Sequence, residues 1–461
     1  MTAHPTSHTA RTAGGPHRTA LAAVCLGHFL VVLDVTAVTV ALPVIGDALD
    51  ASVTALQWVA DGYTLVFAGL LPFSGGLADR IGARRVFLTG LALFTLASAG
   101  CAAACSAPLL VLARLVQGCG AALLLPASLA LLRAMYAHRA ARARAIGLWG
   151  AVSGLAAGAG PVLGGLLAQG LGWRAVFLVN LPVGAAGALL TLRCVPAPPG
   201  RSRGGLDLPA QSALAVSLAA LVTALVEAGA LGWTHPAVLG AAALCPAGTL
   251  VFLRLEGRAR APMLPLPLLT TPGLRPAVAI GALLNLGFYG LLFLAPLYFQ
   301  RLHHYGVLRA GCALLPAVAV VAPGSALAGR VMARTGPRPP MAVGLGVGAL
   351  GLLGWLLAGP ATGYPALVAP MAAVGFGTAL TMPAATLAAT EAAAQDRAGA
   401  ASAIFNTARQ SGSALGVAVF GSLSADRLVT GLHISALIGA TGFLAAAALA
   451  VRYGSGPSAA R

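Results

Sequence analysis

Two carboxylates and two arginines stand inside apolar stretches of this 461-residue chain, and they are its residues best suited to carry a proton or hold a charged ligand. Asp34 lies within LVVLDVTAVTVALP and Asp61 within VADGYTLVFAGLL. An ionised carboxylate in hydrocarbon is costly, so such a group pairs, faces water or takes up a proton. Those are the properties of a proton carrier; the plainer reading is a fixed, hydrogen-bonded structural acid. At about 1.5 Å of rise per residue, Asp34 falls near the middle of its run and Asp61 farther outward. Arg114, in ARLVQGCGAA, comes to a depth similar to that of Asp61, which opens a charge pair between them that protonation would loosen. The alternative for Arg114 is a permanent structural pair. Arg409, in NTARQSGSALG, needs a partner, water or an anionic group of a substrate, and a place in a central cavity satisfies any of the three. Asn285, Phe288 and Tyr289 carry groups that suit an apolar or cationic ligand, although such aromatics also face lipid. Glu227 lies five residues before Gly232 and reads as an interfacial acid.

Two short strings add backbone chemistry. GGLADRIGARR brings Asp79 close in sequence to Arg80 and Arg84 between Gly75 and Gly82, the makings of a charge cluster at a helix end. GAGPVLGG sets Gly158, Gly160, Gly164 and Gly165 around Pro161, which removes side-chain bulk and one backbone hydrogen bond. Close helix packing alone would account for the glycines; a bend at a moving interface would account for glycines and proline together.

The elements that position these residues follow from composition. The chain is 58% hydrophobic and 8% charged, too little polar surface for water to be its main solvent. Runs of about 20 apolar residues, the length of a spanning helix, recur near 20–44, 57–78, 86–106, 108–132, 145–168, 174–192, 209–231, 235–253, 276–299, 307–329, 341–359, 363–387, 398–422 and 432–451. The expected class is an all-α membrane protein with fourteen transmembrane helices. The net charge of +17 comes from 28 basic residues, all Arg, scattered between the runs instead of gathered on one domain, which argues against a nucleic-acid partner. Twenty-two of them fall on one side if the N-terminus is cytoplasmic, so both termini are expected inside. Absence of Lys excludes a P-loop and a Schiff base. The seven cysteines show neither ligand nor redox spacing, and His303 and His304 lack a third ligand, so no metal and no cofactor are expected.

Gly75 to Arg85 is echoed 254 residues later by GRVMARTGPRP, in which Gly329, Arg334, Gly336 and Arg338 repeat Gly75, Arg80, Gly82 and Arg84. Two homologous six-helix halves are expected, over 19–192 and 274–452, with a linker over 193–273 that carries two inserted helices. Cytoplasmic tails would occupy 1–18 and 453–461.

LDVTAVTVALP, QWVADGYTL, GGLADRIGARR, ARLVQGCGAA, GAGPVLGG and WRAVFLVNLPVG occur in order at successive helices. Together they resemble the major facilitator superfamily, and within it the fourteen-helix drug:proton antiporter branch, including quaternary-ammonium multidrug exporters and methylenomycin-type self-resistance exporters. The resemblance implies the major facilitator fold, two pseudo-symmetric halves plus the inserted pair. It implies a conformational latch at Gly75, Asp79, Arg80, Gly82 and Arg84, and an antiporter motif at Gly158, Gly160, Pro161, Gly164 and Gly165. Ala83 departs from the latch pattern where a basic residue is usual, and Ala333 replaces the acid in the second copy, so only the first copy is expected to latch.

The reading is a multi-pass protein of the bacterial cytoplasmic membrane, a secondary transporter and no enzyme. It exports small lipophilic or cationic drugs against a proton gradient by alternating access, as a monomer, with Asp34, Asp61 and Arg114 coupling the proton. The rivals are proton symport of a metabolite and, more remotely, a membrane enzyme or sensor.

Overall fold

The computed structural model describes residues 15–136, 138–197, 207–259, 266–393, 398–425 and 427–452. Of the expected tails, 1–18 and 453–461, residues 1–14 and 453–461 lie outside the described residues, as do the linker arginines Arg201, Arg203 and Arg260, while 15–18 already belong to the first helix. The described chain is helical, because hydrocarbon leaves no water to satisfy a backbone group and a helix satisfies its own. The first part comprises α1 (Gly15–Leu49), α2 (Val53–Ile81), α3 (Ala83–Ala103), α4 (Ala107–Met135), α5 (Arg139–Leu171) and the broken pair α6 (Ala175–Leu178) and α7 (Asn180–Cys194). A hairpin follows, α8 (Leu208–Leu231) and α9 (Pro236–Arg258), then a short α10 (Leu266–Leu269). The last part comprises α11 (Leu274–Leu297), the interrupted run α12 (Val307–Ala313), α13 (Leu315–Ala319) and α14 (Val321–Thr335), then α15 (Arg338–Gly354), α16 (Tyr364–Glu391), α17 (Ala398–Leu423) and α18 (Leu428–Arg452).

All fourteen segments expected from the sequence are helical here, most running a few residues past the expected ends. Twelve are long and apolar enough to cross a membrane. The remaining two, α2 and α17, have the length, at 29 and 26 residues, but carry Gln57 and Asp61, or Asn406, Arg409 and Gln410. These two helices pack on each other across the middle of the molecule, so what they lack in apolar character is interior polar surface.

The packing repeats between the two parts. α1 lies on α5 as α11 lies on α17; α3 on α4 as α15 on α16; α2 on α4 as α14 on α16; and α1 on α7 as α11 on α18. Across the seam the exchange is reciprocal, with α2 against α17 and α5 against α12. The fold is therefore two six-helix halves related by pseudo-symmetry, with α8 and α9 added. The repeated sequence string marks equivalent turns. Gly82, between α2 and α3, and Gly336, between α14 and α15, both take a positive φ, 98° and 78°, which a side chain would strain.

Contact between the halves concentrates at the end of the bundle where α1 stops and α2 starts. Gln57 donates to the Ala418 carbonyl at 3.0 Å, Gln300 to the Val40 carbonyl at 2.9 Å, and the Leu308 N–H to Gln169 Oε1 at 3.3 Å. The opposite end, which gathers most of the arginines, is looser: a side chain added at Gly147, Gly150 or Gly154 of α5 would meet nothing within 4 Å.

Candidate functional site

Asp34 sits at the middle of α1 and is 1% exposed. Its carboxylate receives three donors. The Arg114 guanidinium of α4 forms an ion pair with Oδ2, while Gln117 of α4 and Asn180 of α7 donate to Oδ1 at 2.9 and 3.0 Å. Ser98 of α3 ties the donors together, its hydroxyl accepting from Gln117 at 2.8 Å and from Asn180 at 3.2 Å. Four helices of the first half thus converge on one acid. Arg114 also donates to Gln117 Oε1 at 2.6 Å and, through Nε, to the Val59 carbonyl of α2 at 3.0 Å. Its guanidinium carbon lies 4.3 Å from the centre of the Tyr63 ring, a cation–π contact that adds to its solvation.

The sequence reading opened a pair between Arg114 and Asp61; the structure instead joins Arg114 to Asp34. Depth along a helix does not fix direction around it, and the long Arg side chain reaches across to α1. Asp61 is fully buried one turn past Gln57, and neither of its oxygens finds a hydrogen-bond partner among the described residues. The two acids therefore have different settings in this structure, one held by three donors and one bare.

Arg114 forms part of the wall of a small cavity between the halves, with Val35, Val38 and Thr39 of α1, Thr64 of α2 and, from the second half, Tyr289 and Ser413. Its volume of about 20 Å³ is room for about one water and not for a drug. Tyr289 meets Phe288 edge to face, centroids 5.3 Å apart. Asn285, one turn away, donates to the Arg409 carbonyl at 3.0 Å and to the Ser413 hydroxyl at 3.2 Å, which locks α11 to α17. Arg409 itself donates to Asn406 Oδ1 at 3.1 Å.

The glycines of α5 lie at the seam. A Cβ at Gly164 would come within 2.8 Å of Ala37 Cα on α1, and one at Gly165 within 2.8 Å of Leu308 Cα on α12. Gly160 abuts Thr36, and Gly311 of α12 abuts the Pro161 carbonyl. α5 is thus wedged between α1 of its own half and α12 of the other, each approach requiring a missing side chain. Gly158 is less confined, its nearest neighbour the Val318 carbonyl at 4.0 Å.

The loop residues are arranged otherwise than as one cluster. Arg84 donates to the Thr191 and Leu192 carbonyls at 3.3 and 2.5 Å, capping the last turn of α7. Asp79 and Arg80 are exposed, Gly75 faces open space, and Asp79 makes no ion pair with Arg80 or Arg84 among the described residues. Glu227 accepts from the Trp58 indole at 2.8 Å, so it fixes α8 to α2 instead of facing the interface alone. Sequence reasoning passed over Ser98, Gln117 and Asn180. The signal was available, since Gln117 follows Arg114 by three residues on one helical face and Asn180 interrupts the apolar string AVFLVNLPVG.

A buried acid and arginine beside a cavity between two pseudo-symmetric helical halves define a membrane transporter of the repeat-built kind. The chain belongs to the Major Facilitator Superfamily, whose family model matches residues 24–417. It is 36% identical to the methylenomycin A resistance protein of Streptomyces coelicolor over 88% of this chain and 85% of that one. To the multidrug resistance protein Stp of Mycobacterium tuberculosis it is 37% identical, over 88% and 75%. To the tetracenomycin C resistance and export protein of Streptomyces glaucescens it is 35% identical, over 88% and 76%. Among solved structures, the human organic anion transporter MFSD10 superposes with a TM-score of 0.66 at 17% identity, over 95% of this chain and all of that one, a likeness of fold. As a member of this superfamily the protein is a multi-pass membrane transporter and not an enzyme.

Proposed function

We propose that this protein is a proton-coupled antiporter that exports antibiotics or related small molecules across the bacterial cytoplasmic membrane, with the arginine-rich end facing the cytoplasm. Relatives named for drug resistance and export support the direction of transport. The observation that carries the coupling is Asp34, an acid at mid-helix paired with a cation, Arg114, that lines the cavity between the halves.

The chemistry follows from the contacts. A proton on Asp34 removes the charge that compensates Arg114, and a lone guanidinium in a low-dielectric interior is strongly disfavoured. Arg114 must then find new partners, and it is bonded to the Val59 carbonyl, two residues from the Gln57 side chain that holds α17. A change of charge on α1 is thereby tied to the grip between α2 and α17, the contact that closes the α1–α2 end. The small cavity supplies a water-sized stop for the proton. Substrate enters from the open, arginine-rich side, and protons returning from outside reset the acid; each charge moved gains about 2.3 kcal/mol per 100 mV of potential. Asp61, buried and bare, serves as the outer proton stop in this scheme.

Inverted vesicles given an inward-acidic gradient and a panel of dyes and antibiotics test the reading. Wild type accumulates substrate, whereas Asp34→Asn, which keeps the size and loses the charge, abolishes gradient-driven accumulation. Undiminished uptake by that variant would remove Asp34 from coupling.

A further inference from the structure

Toward the arginine-rich end from the Asp34 network lies a second group of polar side chains that the coupling scheme leaves unused. Arg409 of α17 has no carboxylate within ion-pair distance among the described residues, and its Nε has no hydrogen-bond partner. It lies within electrostatic reach of His28 on α1 and of Tyr289 on α11. His28 is only 8% exposed, stacks face to face on Trp149 of α5 at 3.8 Å between centroids, and leaves its Nδ1 without a partner. The Trp149 indole N–H is likewise unpartnered. The nearest acid along α1, Asp34, is already committed to Arg114.

Three unsatisfied nitrogens and a cation without an ion pair thus gather where the two halves face each other on the open side, with no acid among the described residues to answer them. Two are donors, and the third, His28 Nδ1, donates in one neutral tautomer. Buried donors without acceptors are costly, and a guanidinium without a counter-charge more so. A state that carries them gains on binding an anion, and the flat His28–Trp149 stack within electrostatic reach of the guanidinium suits a ring system attached to it.

We propose that Arg409, His28 and Trp149 form the receiving site for the anionic group of the transported molecule, so that this exporter takes planar or cyclic carboxylates and like anions in preference to cations. The inference rests on the export reading above and narrows its substrate class, against the cationic or merely lipophilic cargo that the sequence resemblance suggested. It also has an electrical consequence: outward movement of an anion and inward movement of a proton transfer charge in the same direction, so export draws doubly on the membrane potential.

Purified protein in lipid nanodiscs is titrated with 2-naphthoate, its methyl ester and 2-naphthylmethylammonium, following intrinsic fluorescence and isothermal calorimetry. Naphthoate is expected to bind at least tenfold more tightly than either analogue. Arg409→Gln should remove that preference, Arg409→Lys should retain part of it, and Trp149→Ala should weaken naphthoate severalfold while sparing the difference in charge. Equal affinity for the three compounds, binding of none of them at millimolar concentration, or an unaltered preference in Arg409→Gln would overturn the proposal. The comparison within wild type needs no variant to fold. Gradient-driven transport of other dyes that still depends on Asp34 would leave export standing even where the anion preference failed.

Discussion

At the scale of single residues, the Asp34–Arg114 pair has an asymmetry that makes it testable apart from transport. Removing one partner leaves the other buried and uncompensated, at a cost of about 3–5 kcal/mol. Arg114→Gln alone should therefore lower thermal stability of the purified protein clearly, and Asp34→Asn with Arg114→Gln should recover much of the loss while remaining inactive. A double variant no more stable than Arg114→Gln alone would show that the stranded charge is not what destabilises the single variant. How these residues looked in the sequence explains what was found and what was missed. Isolated charges in apolar runs stand out because hydrocarbon makes each one expensive, so Asp34, Asp61, Arg114 and Arg409 were all legible. Their pairing was not, because residue counting gives height in the bilayer but not the direction in which a helix turns a side chain. Ser98 and Asn180 were invisible for another reason: small polar residues are common in membrane helices, and only the converging geometry of α3 and α7 gives them a task.

At the scale of elements, α5 is the helix whose sequence most directly dictates its neighbours. Gly164 allows Ala37 of α1 to approach, and Gly165 does the same for Leu308 of α12, so a branched side chain at either must push a helix aside. Gly164→Leu is expected to abolish export with the protein still inserted in the membrane, whereas Gly154→Ala, with open space beside it, should leave transport within about twofold of wild type, since it adds helix propensity and meets nothing. Equal uptake rates for the two variants in vesicles would refute the seam as the reason for the glycines. The helical segments themselves were legible throughout, because length and apolar character are set by the bilayer. Internal breaks carry a mark of their own: α6 and α7 part at Val179, and α12 to α14 at Leu314 and Val320, each two or three residues before a proline, Pro182, Pro316 or Pro323, that cannot donate to the carbonyl four residues back.

At the scale of the molecule, the halves meet firmly at one end and loosely at the other. Cysteines placed at Gln169 and Leu308, which already meet across the seam, in a background lacking the seven native ones, should be joined by a short reducible thiol cross-linker and stop transport until a reductant is added. Transport that continued while the link held would mean that this end need not open. The pseudo-symmetry was legible from one repeated string, GGLADRIGARR against GRVMARTGPRP, because the turn geometry at Gly82 and Gly336 constrains both copies alike. Which faces of the halves touch depended on packing of all twelve core helices and left no comparable mark. Nor did the latch reading transfer whole, for Arg84 reaches back to α7 carbonyls while Asp79 stands apart from it.

The inserted hairpin carries a mechanical implication of its own. α8 is fastened to α2 by Trp58 on Glu227 and by Gln211 on the Gly69 carbonyl, and it also presses Gly229 against Ser422 of α17. A strap anchored on both banks of a joint cannot stay fully tied while the joint swings. If the halves rock as proposed, α8 has in each stroke either to let go of α17 or to part from α2, so the hairpin sets a limit on how far the joint can open.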